Sequence, residues 1–349
     1  MAIGLDIGTS AVRAAELESR RGGTPRLIRY GQVALPLRAV VDGDVLAPAV
    51  VAEALRELWA VSGLRGRDVA VGLASQRVTV RQLDLPELAE GELADAVRLQ
   101  AADQLPIPLH QALVDHVVVE RYKTSDGRSN VRLLLVAAER AMVERLLTSV
   151  TAAKLRPLRV DLDAFALLRS LVAVPPSDDA GLVVDVGASV TKIAVHRGGH
   201  PLFVRMVRLG GDAATRQLET ELELSWEQAE KSKLDASAAM AYGDILDPDD
   251  ERARALQTSV HRVITEIRHS LDFFRSQHPA VEVRQVVLSG GASLAPDLIQ
   301  QLHSELELPV ERGQPLRRID AYKGRGEAKL EEEGPFLAVP VGLALALLS

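Results

Sequence analysis

The feature that most constrains this chain is a motif used twice. Around Asp6 the sequence reads IGLDIGTSAVRAAEL, and around Asp185 it reads LVVDVGASVTKIAV. With Asp6 set on Asp185, Gly8 falls on Gly187, Ser10 on Ser189 and Arg13 on Lys192, and an apolar run stands on either side of each turn. Taken singly, an Asp-x-Gly between apolar runs is an ordinary hairpin turn. The same strand–turn–strand unit once in each half of 349 residues points to two domains of related design facing each other.

A tight Gly/Ser turn between strands aims several backbone N–H groups into one concavity, which suits phosphate oxygens. Glycine lets the backbone come close, and the hydroxyls of Thr9, Ser10 and Ser189 add donors. Asp6 and Asp185, at the strand ends, suit a hydrated Mg²⁺, which takes few carboxylates and keeps its water and phosphate ligands. Arg13 and Lys192 can then neutralise the terminal phosphates, so that two facing hairpins clamp a triphosphate.

The remaining apolar periodicity alternates between strand and helix, the pattern of an α/β fold. Strands are predicted at Ala2–Ile7, Val12–Leu17, Val69–Leu73, Val78–Leu83, Val114–Val119, Val131–Ala137, Leu182–Val186, Lys192–Val195 and Val283–Leu288. A long amphipathic helix is predicted over about 249–278, from Val260, Val263, Ile264, Ile267, Leu271 and Phe274. Ser225 with Gln228 reads as a capping box opening another helix, and two more are predicted near 87–104 and 142–150. Lys123–Asn130 carries Asp-Gly between alternating runs, a hairpin signal. Pro175–Asp179 reads as a domain junction and Gly324–Gly334 as a solvated excursion.

Three further constellations bear on a ligand. Val286–Ala292 runs from strand into Gly290-Gly291, which lets a flat ring lie on the backbone, although any tight strand-to-helix turn would serve. Glu230 and Lys233, three apart on one helical face, can bind ribose hydroxyls or form an ordinary solvated ion pair. Gly210-Gly211 follows a strand and can line the phosphates, or simply turn.

Composition removes other classes. There is no cysteine, which excludes disulfides, thiolate metal sites and a cysteine nucleophile. The formal charge of −7 argues against nucleic acid as a partner. The longest apolar run, Phe336–Leu348, is too short to span a bilayer and holds Pro340, and the start has no signal-peptide pattern, so the expectation is a cytoplasmic protein without direct membrane insertion.

In this order the elements resemble the actin/Hsp70/sugar-kinase superfamily, and within it the PilM family of type IV pilus assembly proteins, which is similar to FtsA. The resemblance runs nearly end to end, through LQAADQLPIPLHQALVDHVVV, LLLVAAERAMVERLL, VDLDAFALLRSL, VRMVRLGGDAATRQL, WEQAEKSKL, EIRHSLDFFRS, VVLSGGASL and PVGLALAL. It implies a two-domain actin-like (ribonuclease H-like) ATPase fold with an FtsA-type inserted subdomain. The expected division is 1–80 with 156–178 and 335–349, an insert at 81–155, and a second domain at 179–334. It implies ATP and Mg²⁺ as cofactors: Asp6, Gly8, Thr9, Ser10 and Arg13 form the first phosphate hairpin, and Asp185, Gly187, Ser189 and Lys192 the second. Gly210 and Gly211 then flank the phosphates, Glu230 and Lys233 the ribose, and Gly290 and Gly291 the adenine. Two departures stand out: Arg13 replaces the usual Lys, and the second turn is one residue longer before Thr191 than the superfamily pattern.

For hydrolysis, at most slow, the resemblance points to the crossover VDLDAFAL and so to Asp161 or Asp163; a helix cap is the competing role for an aspartate there. It also implies a partner, the cytoplasmic N-terminal tail of a PilN-like single-span membrane protein, in a groove lined by Leu105, Ile107, Pro108 and Leu109. Other pilus platform proteins or motor ATPases, and a homo-oligomer, are further expected partners. The closing FLAVPVGLALALLS has no Lys or Arg, unlike a basic membrane helix, so peripheral attachment to the membrane is expected through the partner. A small-molecule kinase of the same superfamily and a self-assembling filament protein remain the alternatives.

Overall fold

The computed structural model describes residues 1–20, 23–172, 179–241, 250–320 and 333–348. Of the expected junction at 175–179 only Asp179 falls among them, and of the expected excursion at 324–334 only Glu333 and Gly334; the rest of both lies outside the described residues.

The first sheet is built from β1 (Ala2–Ile7), β2 (Ala11–Arg20), β3 (Gly23–Ala34), β6 (Asp68–Leu73) and β10 (Arg156–Leu162), in the order β3-β2-β1-β6-β10. The second is built from β11 (Ala180–Val186), β12 (Thr191–Arg197), β13 (His200–Val207), β14 (Val283–Ser289) and β15 (Val310–Arg312), in the order β13-β12-β11-β14-β15. In both, three antiparallel strands are followed by two parallel ones. The sequence repeat is therefore the first hairpin of one topology used twice. Strands β1 and β11 are buried on both faces, which is why they read as continuous apolar runs rather than alternating ones.

After β3 the chain forms a small hairpin, β4 (Val40–Val41) and β5 (Asp44–Val45), whose Asp42-Gly43 turn has positive φ at both residues. Helix α1 (Pro48–Ser62) follows, opening on a proline and stopping at Gly63 in the left-handed region. A third sheet, β7 (Thr79–Pro86), β9 (Ser129–Glu139) and β8 (Ala112–Lys123), is covered by α2 (Glu90–Gln104) through Leu93, Val97 and Ala101. The expected hairpin between β8 and β9 forms, with Gly127 at φ +86°. Helix α3 (Arg140–Ala152) leads back to β10.

Helix α4 (Asp163–Leu171) leaves the end of β10 and crosses between the domains. Its buried Ala164, Leu167 and Leu168 share one core with Leu5 and Val71 of the first sheet and with Val183, Ala194 and Val204 of the second. On the second sheet lie α7 (Glu251–Gln277) and α8 (Leu298–Leu306), and α5 (Asp212–Glu221) and α6 (Trp226–Ala241) pack on α7. The capping box before α6 is made: Ser225 N–H donates to Gln228 Oε1 at 2.9 Å, and Gln228 N–H to Ser225 Oγ at 3.3 Å. Helix α7 starts where Asp250 accepts from the N–H of Arg252, within two residues of the predicted start. The closing helix α9 (Gly334–Leu345) is buried along its length despite Pro340 and packs on β1, β2 and α4.

Candidate functional site

Both repeated hairpins close in the same register. Asp6 pairs across the strands with Arg13, and Asp185 with Lys192. Each turn is locked by its glycine, Gly8 N–H to Ala11 C=O at 3.0 Å and Gly187 N–H to Val190 C=O at 3.1 Å. The second turn, longer than the superfamily pattern, is thus the same length as the first. The two tips meet across the cleft: the hydroxyls of Thr9 and Ser189 are 2.5 Å apart. Both hairpins line a cavity of about 850 Å³ between the domains.

At its floor sit the buried carboxylates of Asp6, Asp163 and Asp185 around Lys192. Lys192 Nζ donates to Asp185 Oδ2 at 2.7 Å and lies 3.5 Å from Asp163 Oδ2. Burial works against the Lys192 charge, but Asp185, Asp163 and Asp6 outweigh it and hold the ammonium above its ordinary value. Asp163 is 3% exposed, and its Oδ1 has no hydrogen-bond partner in the structure. Burial pushes its carboxyl up to about 7; Lys192 pulls the other way, and Asp6 and Asp185 add to the rise. On the first hairpin, Arg13 Nη1 lies 3.5 Å from Asp6 Oδ2 and Nε donates to Gln32 Oε1 at 3.3 Å.

Asp161 and Asp163 part company. Asp161 lies outside the cavity lining; it accepts from Leu162 N–H at 2.9 Å and pairs with Arg169. Neither caps α4 as an aspartate there could, because the N-cap is Leu162 with no side-chain bond and both carboxylates are drawn to cations instead.

Gly210 and Gly211 stand at the second hairpin but serve its backbone. Gly211 N–H donates to Gly187 C=O at 3.0 Å and Asp212 N–H to Ala188 C=O at 2.8 Å, while a Cβ on Gly210 would fall 2.3 Å from the Gly187 oxygen. The first-turn donors of α5 are therefore partly committed before any anion arrives. Beside them Lys233 Nζ donates to Glu230 Oε2 at 2.6 Å, Thr215 Oγ1 at 3.0 Å and Gly211 C=O at 3.4 Å. The Lys233 side chain is only 12% exposed, so this is not a solvated pair but a pinned cluster at the cavity edge. Gly290 and Gly291 also line the cavity. The flat ring that lies against Gly291 is the protein's own Phe336.

The residues expected to line a partner groove follow α2. Leu105 is half-buried against the core of the third sheet, whereas Leu109, opening a short 3-10 turn after Pro108, is 37% exposed; Ile107 lies between them. Several lining residues had no signal for the cleft in the sequence: Leu256 and Val260 on α7, and Phe336 on α9. Each reaches the cleft through tertiary packing, though the apolar period of α7 did mark Val260 as buried.

Acidic side chains outnumber basic ones around the cavity. Such a site accepts a polyanion only together with a cation. Among the described residues no three His, Asp or Glu side chains are grouped to hold a metal by themselves.

The sequence pattern of the family described as "Type IV pilus assembly protein PilM" matches residues 4–347. The chain is also similar to the solved PilM–PilN type IV pilus biogenesis complex, with TM-score 0.86 and 28% identity over 100% of this chain and 98% of that one. It is 24% identical over 327 residues to the cell division protein FtsA of Streptococcus pneumoniae, covering 87% of this chain and 66% of that protein's length. MreB5 of Spiroplasma citri, solved bound to ADP, shares the fold at TM-score 0.52 and 10% identity, covering 97% and 94% of the two chains.

Proposed function

The chain belongs to the PilM family of type IV pilus assembly proteins, and from that premise we propose that it binds ATP with Mg²⁺ in the cleft. Bound nucleotide sets its affinity for the cytoplasmic N-terminal tail of a PilN-like single-span membrane protein. The observation that carries the nucleotide reading is the pair of equally registered hairpins whose tips meet over buried Asp6, Asp185 and Lys192. The fold admits a nucleotide, since MreB5 carries ADP in it.

The donor set suits Mg²⁺. Asp6 and Asp185 offer hard carboxylate oxygens, and Asp163 Oδ1 is buried without a partner. Bound there, the ion would neutralise phosphate charge that the acidic cleft cannot. Lys192 and Arg13 would approach the phosphates from opposite hairpins, and Thr9, Ser10 and Ser189 would supply hydroxyl donors. Gly8 and Gly187 hold the turns, and Gly210 and Gly211 support the second. Glu230, its carboxylate fixed by Lys233 and Thr215, would accept from a ribose hydroxyl. Between the two crossover aspartates, Asp163 is the candidate to orient water or hold a proton, because it lines the cavity and burial pushes its carboxyl up to about 7. We place the domain limits at 1–80 with 156–178 and 335–349, at 81–155, and at 179–334.

The partner reading rests on the 28% identity to the chain solved as a PilM–PilN complex. A short extended tail docks by main-chain hydrogen bonds with apolar residues in a groove, and Leu105, Ile107, Pro108 and Leu109 are the candidates beside α2. No helix among the described residues is long and apolar enough to cross a membrane; with a PilN-like partner, attachment at the cytoplasmic face would run through that tail. Homo-oligomers and other platform proteins or motor ATPases are compatible further partners.

Calorimetry of ATP with Mg²⁺, with and without a peptide of the tail, tests both halves. Saturable ATP binding lost in Asp6→Ala and Asp185→Ala, with an affinity that peptide changes, is expected. If ATP alters tail affinity, the tail must alter ATP affinity by the same factor. No ATP binding in either setting would leave a peptide-binding scaffold whose hairpins are structural.

A further inference from the structure

We propose that Phe336 is the residue that positions Arg13 for a polyphosphate and closes the base side of the cleft, an inference that rests on the nucleotide reading above. The Arg13 guanidinium carbon lies over the Phe336 ring, 5.1 Å from its centroid. Its edge is used elsewhere, with Nη1 3.5 Å from Asp6 and Nε on Gln32. A planar guanidinium can stack by its face and donate from its edge at once; an ammonium is a point charge and cannot do both. Arginine at position 13 can therefore serve the ring and the hairpin together, as lysine there could not.

The ring itself is held from the other domain. Phe336 lies in the first turn of α9, where the Pro335 carbonyl accepts from Gly290 N–H and from Ser289 Oγ, each at 3.2 Å. Its edge then rests on Gly291, where a Cβ would come within 2.6 Å of the ring carbon Cε1. Glycine at 291 therefore makes room for Phe336, and the ring fills the space between that turn and Arg13. A base is left the α6–α7 side of the cavity, walled by Leu234, Leu256 and Val260. The guanidinium is kept on the hairpin side, where phosphates would lie.

The role is read from a double-mutant cycle on nucleotide binding. Binding of ATP and AMP with Mg²⁺ is measured by calorimetry for the parent chain, Arg13→Lys, Phe336→Leu, both together, and Phe336→Tyr, with thermal melts to verify folding. Either single change is expected to weaken ATP by about 3- to 30-fold and AMP far less. The double variant should be no weaker than the worse single one, and Phe336→Tyr, which keeps the ring, should bind like the parent. Should leucine prevent folding, Phe336→Met keeps the bulk without the ring face and takes its place in the cycle. Additive losses, or equal losses for ATP and AMP, overturn the positioning role while leaving the nucleotide reading intact. A parent chain that binds no ATP overturns both.

Discussion

Asp163 is held in the fold at a protonation state that its bare chemistry would not give. An exposed aspartate would be charged at neutral pH; buried at the head of α4, between Asp6 and Asp185, it reaches about 7 despite Lys192. Because its folded value lies above the ordinary 3.8, the folded state binds the extra proton between about 4 and about 7. The stabilisation linked to that proton is full below about pH 4 and is lost as pH rises through about 7. Its slope is at most about 1.4 kcal/mol per pH unit. Urea unfolding from pH 5 to pH 8 should show stability falling across that window, and Asp163→Asn should flatten the fall. A slope unchanged in the variant would assign the titration to another group.

Helix α9 is the element whose seat depends most on missing side chains. A Cβ at Gly342 would lie 1.9 Å from the Ala166 carbonyl oxygen on α4, and one at Gly4 of β1 would lie 1.9 Å from the Pro340 carbonyl oxygen. These are backbone atoms and cannot swing aside, so the helix must move. Gly342→Ala is expected to cost about 1–3 kcal/mol in chemical unfolding, with Arg169, which donates to Gly342 C=O at 2.7 Å, losing its anchor. A neutral result would mean that α9 sits further from α4 than the structure has it. The same argument explains an apolar helix with a proline inside it: the sheet and α4 bury it on every side, so packing rather than propensity holds it.

On the scale of the whole molecule, the polar contacts that join the domains include two apart from the Lys192 cluster and the Pro335 carbonyl. One is the Thr9–Ser189 hydroxyl pair; the other is Arg208 at the end of β13, 3.2 Å from Asp42 in the β4–β5 turn. An exposed ion pair is worth only about 0.2–1 kcal/mol, but reversing one charge turns attraction into repulsion. Arg208→Glu should open the cleft, raising the radius of gyration in small-angle scattering at low salt, and adding Asp42→Arg should restore it. Scattering unchanged by Arg208→Glu would show that this ion pair does not set closure.

The sequence by itself determined the parts whose signals are local or repeated. Strand β1 lies where its apolar run predicts it, α7 follows its period of buried Val260 to Phe274, the Ser225 capping box closes, and the duplicated hairpins share one register. Strand β3 and helix α1 were not legible there. Much of β3 is half-exposed at a sheet edge, and α1 draws its burial from α3 and β3, which come from other parts of the chain. At the site, the identity of the hairpin residues was legible because glycine, hydroxyl and carboxylate recur at fixed spacing. Their electrostatics were not. That Asp163 rather than Asp161 faces the cleft, that Thr215 of α5 joins and buries the Glu230–Lys233 pair, and that Phe336 lies against Gly291 are outcomes of packing between separate elements. Spacing along a chain sets which atoms an element presents; only the packing of elements decides which are desolvated and which charges meet.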